Sequence, residues 1–337
     1  MTSVLVVVLN WNGAADTKKC VTSLVSQSYK KMDILVVDNG SIDDSLQVLS
    51  GLEEKHKNVT IIRNPRNLGF AGGVNTGIKY ALGKGYEAVA LFNNDATADK
   101  NWLSELVEEF KQPSTVAVTG LLLHEKGKTI DSTGDYYSTW GMPFPRSRGE
   151  KTSQAPDSSF VFSATGGATL YKTSLFKEIG LFDERFFAYY EDVDISFRAQ
   201  LAGHKVYYTK NAVAYHKQGA TSKKIPGFTV YQTFKNIPLL YIKNVPTKLL
   251  LPIGARLLLT YCLMFANAVR KGSGAYALKG WLMSIWHFWT NSLWARFNIQ
   301  RNKKVSDDYI NSLLWHDLPP DQTGVRKFRS IFIRSKS

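Results

Sequence analysis

Acidic and amide side chains, with one tryptophan among them, follow three short apolar segments near the start of the chain. They are Asn10, Trp11 and Asn12 after residues 4–9, Asp38 after residues 33–37, and Asn94 and Asp95 after residues 88–92. Carboxylate oxygens bind hard divalent cations, and such a cation in turn binds a diphosphate. Asp also caps turns and helices, which would explain Asp38 or Asp95 taken singly. Because both residues follow equivalent segments, the pattern favours a ligand site.

A second group of carboxylates lies among aromatic residues at positions 182–194. Neighbouring rings remove water from a carboxyl group and raise its pKa, which suits a general base. The same acidic residues also match the first turn of a helix, where the helix dipole favours negative charge. That alternative explains Asp194 well, but it does not explain the aromatic residues beside Glu191 and Asp192.

Small residues dominate positions 67–77, which run from a loop into a helix. Small side chains let backbone N–H groups and a helix N-terminus approach an anion such as a nucleotide diphosphate. The segment matches neither the dinucleotide-binding nor the Walker A glycine pattern. A close-packed helix entry without a ligand is an equal alternative.

His216 ends an apolar run close to the basic part of the chain. A lone histidine is more often a packed or surface residue than a ligand. It is a metal-ligand candidate here because other candidate metal ligands, with carboxylate oxygens, precede it in the sequence.

Alternating strands and helices are expected to position these side chains. Short β-branched runs predict buried strands, and helical spacing of apolar residues predicts helices between them. The predicted strands cover residues 4–9, 33–37, 59–63 and 88–92. This order implies right-handed βαβ units in a mostly parallel sheet with helices on both faces, and ligands bind at the carboxyl ends of such strands. Residues 124–160, by contrast, predict an insertion or flexible loop.

Seven segments, taken in order, resemble glycosyltransferase family 2 and its bacterial rhamnosyltransferase-like branch. They cover residues 7–13, 36–41, 67–77, 91–95, 165–168, 191–194 and 216–221. The resemblance implies an α/β fold of the GT-A type, with a Rossmann-like, mostly parallel sheet flanked by helices. It also implies inverting transfer of a sugar from a nucleoside-diphosphate donor to a lipid-linked or polysaccharide acceptor in bacterial cell-surface glycan synthesis. The preferred donor is dTDP-L-rhamnose, and a UDP-hexose or UDP-galactofuranose is the alternative.

The same resemblance implies roles for individual residues. Those implied in nucleotide-sugar binding are Asn10, Trp11, Asn12, Asp38, Asn67, Gly73, Asn75 and Asn94. Those implied on the acceptor side are Thr165, Gly166 and Gly167. Asp192 is implied as the catalytic base with Glu191 beside it. Asp95 and His216 are implied as ligands of a divalent cation, Mn²⁺ or Mg²⁺.

One position departs from the family pattern. Asn93 stands where a full Asp-x-Asp metal motif has its first aspartate. Asparagine offers a neutral oxygen, so the resemblance implies a weaker metal site than the full motif would give.

The positive charge of the protein lies in its last third. Residues 1–216 carry 23 Lys and Arg against 24 Asp and Glu, whereas residues 217–337 carry 19 against 4. Two amphipathic segments, 249–271 and 275–297, lie in the basic part. Basic, Trp-rich amphipathic helices are typical of proteins that lie on anionic membranes. Packing on the catalytic domain or a homodimer interface is the alternative.

The expected organisation is therefore a nucleotide-sugar-binding catalytic domain at residues 1–223 and a basic helical region at residues 224–337. The uncharged stretch 257–269 has 13 residues, short of the roughly 20 needed to cross a bilayer. We expect a cytoplasmic enzyme, peripheral on the inner face of the cell membrane. Two distant cysteines, Cys20 and Cys262, fit a reducing compartment.

A nucleic-acid-binding protein is the rival from another class, because the basic region also contains aromatic residues. It would leave the strand-end carboxylates without a role. No nucleic-acid partner is therefore expected.

Overall fold

The computed structural model describes residues 1–219 and 225–320, which divide into two compact units. The first unit comprises Met1–Asp135 and Pro145–Ile225, and the second comprises Tyr136–Phe144 and Pro226–Ser337. The domain boundary predicted between residues 223 and 224 lies outside the described residues, as do Ala220 and Thr221 of the last family-like segment.

A large mixed sheet forms the centre of the first unit. The strands of the chain are β1 (Val4–Asn10), β2 (Met32–Asp38), β3 (Val59–Arg63), β4 (Ala88–Asn93), β5 (Ala96–Ala98), β6 (Thr115–His124), β7 (Ile130–Ser132), β8 (Asp135–Tyr137), β9 (Pro143–Pro145), β10 (Ser159–Val161), β11 (Ala168–Lys172) and β12 (Lys205–His216). Eight of them follow the order β10-β12-β6-β11-β4-β1-β2-β3, with β5 on β12 and β7 on β6. Strands β1 to β4 pair in parallel, as predicted, whereas β11 is antiparallel to both β4 and β6.

Helices cover both faces of this sheet. They are α1 (Ala14–Val25), α2 (Ser45–Lys55), α3 (Gly69–Lys84), α4 (Trp102–Glu108), α5 (Thr173–Ile179) and α6 (Glu191–Leu201). Alternate side chains of β1 enter two different cores, with Val6 packed among residues of α1, α2 and α4 and Val7 among residues of α3, α5 and α6. Burial on both faces explains why the strand sequences are unbroken apolar runs.

Residues 124–160 are more regular than their composition predicted. The segment contains β7, β9 and β10, together with β8, which pairs with β9 in a separate two-stranded sheet. Each of these strands has three residues. Such a length is too short for an alternating pattern to be visible in the sequence.

The second unit is helical. Its helices are α7 (Phe228–Asn244), α8 (Thr247–Arg270), α9 (Gly274–His287), α10 (Leu293–Arg301) and α11 (Asp307–Leu313), with a π-helical turn at Phe288–Ser292. Gly280 lets α9 approach α7 closely, because a Cβ there would lie 2.4 Å from the Tyr231 carbonyl oxygen. The structure thus confirms an α/β fold followed by a helical C-terminal extension.

Candidate active site

The carboxyl ends of the first strands bring the predicted polar residues to one edge of the sheet. Asn10, at the end of β1, pairs with Asp38 at the end of β2, and Leu9 pairs with Asn93 at the end of β4. The register follows from the parallel pairing of short strands that start level with one another. Residues 28 and 84 positions apart in sequence therefore share one edge.

Asn10 and Asp38 form the buried floor of this edge. The Asn10 amide donates to Asp38 Oδ1 at 2.9 Å and accepts from the Thr17 hydroxyl at 2.7 Å. Arg63 Nε lies 3.6 Å from Asp38 Oδ2. Neither Asn10 nor Asp38 is exposed to solvent. These contacts already use the Asn10 side chain, so its implied role in donor binding stays a prediction.

Trp11 and Asn12 lie above that floor. Both are half-buried, and Asn12 has a left-handed backbone with φ of 49°. The Asn12 side chain accepts a hydrogen bond from the Ile42 N–H at 2.9 Å, which ties the loop after β1 to the loop after β2. Direct contact of Trp11 and Asn12 with a donor stays a prediction.

The implied diphosphate-lining residues have clear packing reasons of their own. Asn67 Oδ1 accepts from the Gly69 N–H at 2.8 Å where α3 begins. A Cβ at Gly73 would lie 2.3 Å from Leu9 Cδ1, so α3 packs tightly on β1 there. The buried Asn75 amide donates to the Phe182 carbonyl at 2.9 Å and to Glu184 at 3.0 Å. A direct contact between these residues and a donor stays a prediction.

Asp95 and His216 lie next to each other although 121 residues separate them. His216 Nε2 is 2.9 Å from Asp95 Oδ1 and 3.2 Å from the Asn93 amide nitrogen. Strand β12 places His216 opposite Ala96 of β5, directly after the Asn94–Asp95 turn. Asn94 points elsewhere and donates to the Thr17 hydroxyl at 3.0 Å. The two implied metal ligands therefore converge.

Asp131 and Arg148 complete this cluster, and sequence reasoning missed both. Asp131 Oδ2 is 2.7 Å from His216 Nδ1, and its Oδ1 is 2.9 Å from Arg148 Nη2. They come from the segment whose composition predicted a flexible loop. The available signal was a carboxylate in the polar Asp-Ser-Thr-Gly run at residues 131–134, which by itself is typical of an ordinary turn.

The charges of this cluster stabilise one another. Burial alone would lower the pKa of His216, but hydrogen bonds to Asp131 and Asp95 outweigh it and raise the pKa to about 9. Burial alone would raise the pKa of Asp131, yet the hydrogen bond to His216 and the charge of Arg148 hold it below the ordinary value. Two carboxylates thus hold the imidazole ring of His216 from both of its nitrogens.

The candidate base lies at the beginning of α6. Asp192 is half-buried, and its two oxygens accept backbone N–H groups, Oδ2 from Gly166 at 2.7 Å and Oδ1 from Val193 at 2.8 Å. Burial raises the pKa of Asp192, whereas these hydrogen bonds and the charge of Arg148 lower it. The effect of burial is larger, so the pKa lies above its ordinary value. Glu191 beside it is buried at the first position of α6. The arrangement gives a fixed carboxylate of enhanced basicity.

The turn at residues 165–167 links the base to the Asp95–His216 pair. While Gly166 donates to Asp192, the Gly167 carbonyl accepts from the Asn93 N–H at 2.9 Å. The Thr165 carbonyl accepts from the Thr169 hydroxyl, which closes the turn. The predicted acceptor-side residues thus lie between the candidate base and the candidate metal ligands.

Backbone strain precedes α6. Phe187, Tyr189 and Tyr190 have φ values of 61°, 71° and 70°, which bulky residues rarely adopt. The Phe187 carbonyl caps the start of α3 by accepting from the Ala71 N–H at 3.2 Å. Strained backbone of this kind is concentrated at functional sites.

Two side chains of this cluster are of the type that could ligate a divalent cation. Asp95 supplies a carboxylate oxygen and His216 an imidazole nitrogen, and their 2.9 Å separation shows that both point to one place. Within residues 1–219 and 225–320, no group of three or more His, Cys, Asp or Glu side chains is arranged to hold a metal. Such a cation would need further oxygens, which a bound diphosphate carries.

The family model described as Glycosyl transferase family 2 matches residues 3–180. The matched region contains Asp38, Asp95 and the 165–167 turn, and it ends before Asp192 and His216.

Two curated relatives and two solved structures extend the comparison. The chain is 25% identical over 237 residues to the low-salt glycan biosynthesis hexosyltransferase Agl10 of Haloferax volcanii, covering 68% of this chain and 73% of that protein. It is 27% identical over 248 residues to the N-acetylglucosaminyl-diphospho-decaprenol L-rhamnosyltransferase of Mycobacterium tuberculosis, covering 66% and 79%. The mannosyltransferase PcManGT of Pyrobaculum calidifontis, solved with GDP-Man and Mn²⁺, has a TM-score of 0.53 at 14% identity, covering 99% and 81%. GalNAc-T7, solved with UDP, GalNAc and Mn²⁺, has a TM-score of 0.54 at 16% identity, covering 64% and 43%.

Proposed function

The chain belongs to glycosyltransferase family 2, and we propose that it moves a sugar, with inversion, from a nucleoside diphosphate to an acceptor hydroxyl. The observation that carries this mechanism is the Asp192 carboxylate, which the Gly166 and Val193 N–H groups hold in place. The same 165–167 turn is hydrogen-bonded to Asn93 through the Gly167 carbonyl. A base of raised pKa at that place suits deprotonation of an alcohol.

The reaction is a single displacement. Asp192 takes the proton of the acceptor hydroxyl while that oxygen forms a bond to the anomeric carbon. The bond from the anomeric carbon to the diphosphate oxygen breaks, and the nucleoside diphosphate leaves with the electron pair. Attack on the face opposite the leaving group inverts the anomeric configuration.

A divalent cation, Mn²⁺ or Mg²⁺, is the proposed cofactor, with Asp95 and His216 as its ligands. When bound, it would neutralise charge that develops on the leaving diphosphate. The convergence of the two side chains supports this proposal, and both solved neighbours contain Mn²⁺. Asn93 lies against His216 and adds no negative charge, so we expect a cation held mainly with the help of the donor.

We propose dTDP-L-rhamnose as the donor, with a UDP-hexose or UDP-galactofuranose as the alternative. The rhamnosyltransferase among the relatives supports this choice. A panel of nucleotide sugars incubated with full-length enzyme and Mn²⁺ tests it, by thermal shift and by release of nucleoside diphosphate. We expect the largest shift with dTDP-L-rhamnose. Response to another nucleotide sugar alone would change the donor, and the absence of any response would overturn sugar transfer.

We propose a lipid-linked or polysaccharide acceptor presented at a membrane surface of anionic charge. The support lies in the second unit, where residues 225–320 carry 11 Lys and Arg against 3 Asp. Trp286, Trp289 and Trp294 are 64%, 73% and 70% exposed. An apolar groove of about 360 Å³ lies among α7, α8 and α9. These features suit an interfacial anchor.

Helix α8 is the part of the described chain that is long and apolar enough to cross a membrane. Only 17% of the most apolar 18-residue stretch of this helix is buried. Arg256 interrupts the apolar run, so we propose that α8 lies on the bilayer surface. A peripheral location follows from that proposal, and we propose that it is on the cytoplasmic face. A homodimer through the same helices is the alternative.

A further inference from the structure

Asp131 is the most deeply buried acidic residue with two charged partners in the cluster around His216. Its side chain is 2% exposed, and it contacts His216 at 2.7 Å and Arg148 at 2.9 Å. Arg148 also donates from Nε to the Asp131 carbonyl oxygen at 2.9 Å. One guanidinium thus holds both the side chain and the main chain of Asp131.

A β-bulge aims this carboxylate at the histidine. Strand β7 pairs with β6 through Ser132 opposite Leu122 and Ile130 opposite Leu123, which leaves Asp131 as the extra residue. Strand β6 also pairs with β12, with His124 opposite His216. Bulges turn a side chain out of the regular alternation and are frequent beside active sites.

Both nitrogens of the His216 ring are therefore assigned. Nδ1 faces Asp131, and Nε2 faces Asp95. A metal-ligating histidine generally donates its other N–H to a carboxylate, which fixes the ring orientation and increases the basicity of the ligating nitrogen. Burial of a carboxylate for stability alone is unfavourable compared with an apolar side chain of similar size.

We propose that Asp131 is a positioning residue that accepts from His216 Nδ1–H and so holds Nε2 beside Asp95 for the divalent cation. The inference rests on the proposed cation site at Asp95 and His216. Arg148 supports it indirectly, because it fixes the Asp131 carboxylate.

Asp131→Asn tests the proposal in the full-length enzyme. An amide has similar shape but is a weaker acceptor and carries no charge. We expect the Kd for Mn²⁺, measured from the free Mn²⁺ signal in electron paramagnetic resonance with nucleoside diphosphate present, to rise roughly 10- to 100-fold. The Mn²⁺ concentration for half-maximal activity should rise in parallel, and kcat should recover at saturating Mn²⁺.

Asp157→Asn is the matched control, since Asp157 is an exposed surface carboxylate paired with Lys210. It should leave Mn²⁺ binding unchanged. If Asp131→Asn fails to fold, Arg148→Gln provides the second variant, because the Arg148 side chain is 44% exposed and more tolerant of change. We expect a smaller rise of the Mn²⁺ Kd in that variant.

Wild-type affinity for Mn²⁺ in a folded Asp131→Asn or Arg148→Gln protein would overturn the positioning role and leave the cation site intact. A lowered Tm with unchanged Mn²⁺ Kd would show a structural role only and would also overturn it. If the wild-type enzyme transfers sugar but binds no Mn²⁺, the cation site itself fails and this inference fails with it.

Discussion

The Gly166 N–H lies 2.7 Å from Asp192 Oδ2, and a Cβ on Gly166 would approach the same oxygen to 3.2 Å. The turn and the candidate base therefore fit each other closely. An N–H donor at this distance orients the carboxylate, while burial keeps its pKa raised.

Asp192→Asn should lower kcat by roughly 10²- to 10⁴-fold, the usual contribution of a general base. An amide cannot take the acceptor proton, and its NH₂ would face one of two backbone donors. Donor binding should be retained, as measured by isothermal titration calorimetry with the nucleotide sugar. Asp157→Asn serves as the control and should keep wild-type kcat. Near-normal turnover in Asp192→Asn would remove Asp192 from the mechanism.

The pH profile of kcat/KM should show its acid limb above the ordinary range of aspartate. The base must be ionised, so activity falls as the pH drops through the pKa of Asp192. Burial raises that pKa above the ordinary value of 3.8, and the limb moves to higher pH accordingly. Initial rates at low acceptor concentration measure the limb. An acid limb at or below pH 3.8 would contradict this prediction.

Asp135→Asn should stabilise the protein at neutral pH. Burial raises the pKa of Asp135 well above its ordinary value, and the charge of Asp192 raises it further. Because the pKa of Asp135 is raised in the folded state, the free energy of unfolding of the wild type is highest below the unfolded pKa. It decreases as the pH rises through the folded pKa. The Asn side chain has no carboxyl group to ionise, so the variant avoids this loss of stability. A gain of about 1 kcal/mol would raise the Tm of a unit of this size by about 2–4 °C.

The stabilisation by Asp135→Asn should disappear below about pH 4, where both forms of the chain carry a neutral side chain. Thermal unfolding of wild type and variant at pH 7.5 and pH 3.5 measures the difference. An equal Tm difference at the two pH values would show that packing, rather than charge, is responsible.

Gly73→Ala should destabilise the first unit, whereas Gly83→Ala in the same helix should not. A Cβ at Gly73 meets Leu9 Cδ1 at 2.3 Å, but a Cβ at Gly83 has nothing within 4 Å. Overpacking costs about 1–3 kcal/mol, and Gly to Ala at a free helical position gains about 0.5–1 kcal/mol. Urea unfolding of both variants checks the opposite signs. Equal stability of the two variants would show that α3 moves freely away from β1.

Replacing Trp286 and Trp289 by Ser should weaken binding to vesicles that contain anionic lipid. Both rings are more than half exposed on the basic helical unit, and their apolar area would enter the membrane interface. Co-sedimentation with vesicles at fixed salt measures the loss. Ile42→Ser, an exposed apolar residue of the first unit, is the control.

Unchanged vesicle binding in the double Trp variant would exclude this surface as the membrane contact. A change of oligomeric state in its place, seen by sedimentation velocity, would favour the dimer alternative for the same helices.

The first half of the fold could be predicted because its signals are local. Unbroken apolar runs such as residues 4–9 reflect burial on both faces of a strand, and the polar residues after them mark the carboxyl edge. The antiparallel insertion of β11 between β4 and β6 could not be predicted, since strand order depends on packing of distant segments rather than on periodicity.

The sequence by itself determined the family, the strand ends and the identity of Asp38, Asp95, Asp192 and His216 as residues of interest. Residue type and order are sufficient for those statements. Only the tertiary structure decided that Asp131 and Arg148 belong with His216, because a one-residue bulge in a three-residue strand has no sequence period. Only it decided that Asp192 is fixed by Gly166, 26 residues earlier, because such a contact exists only once the chain has folded.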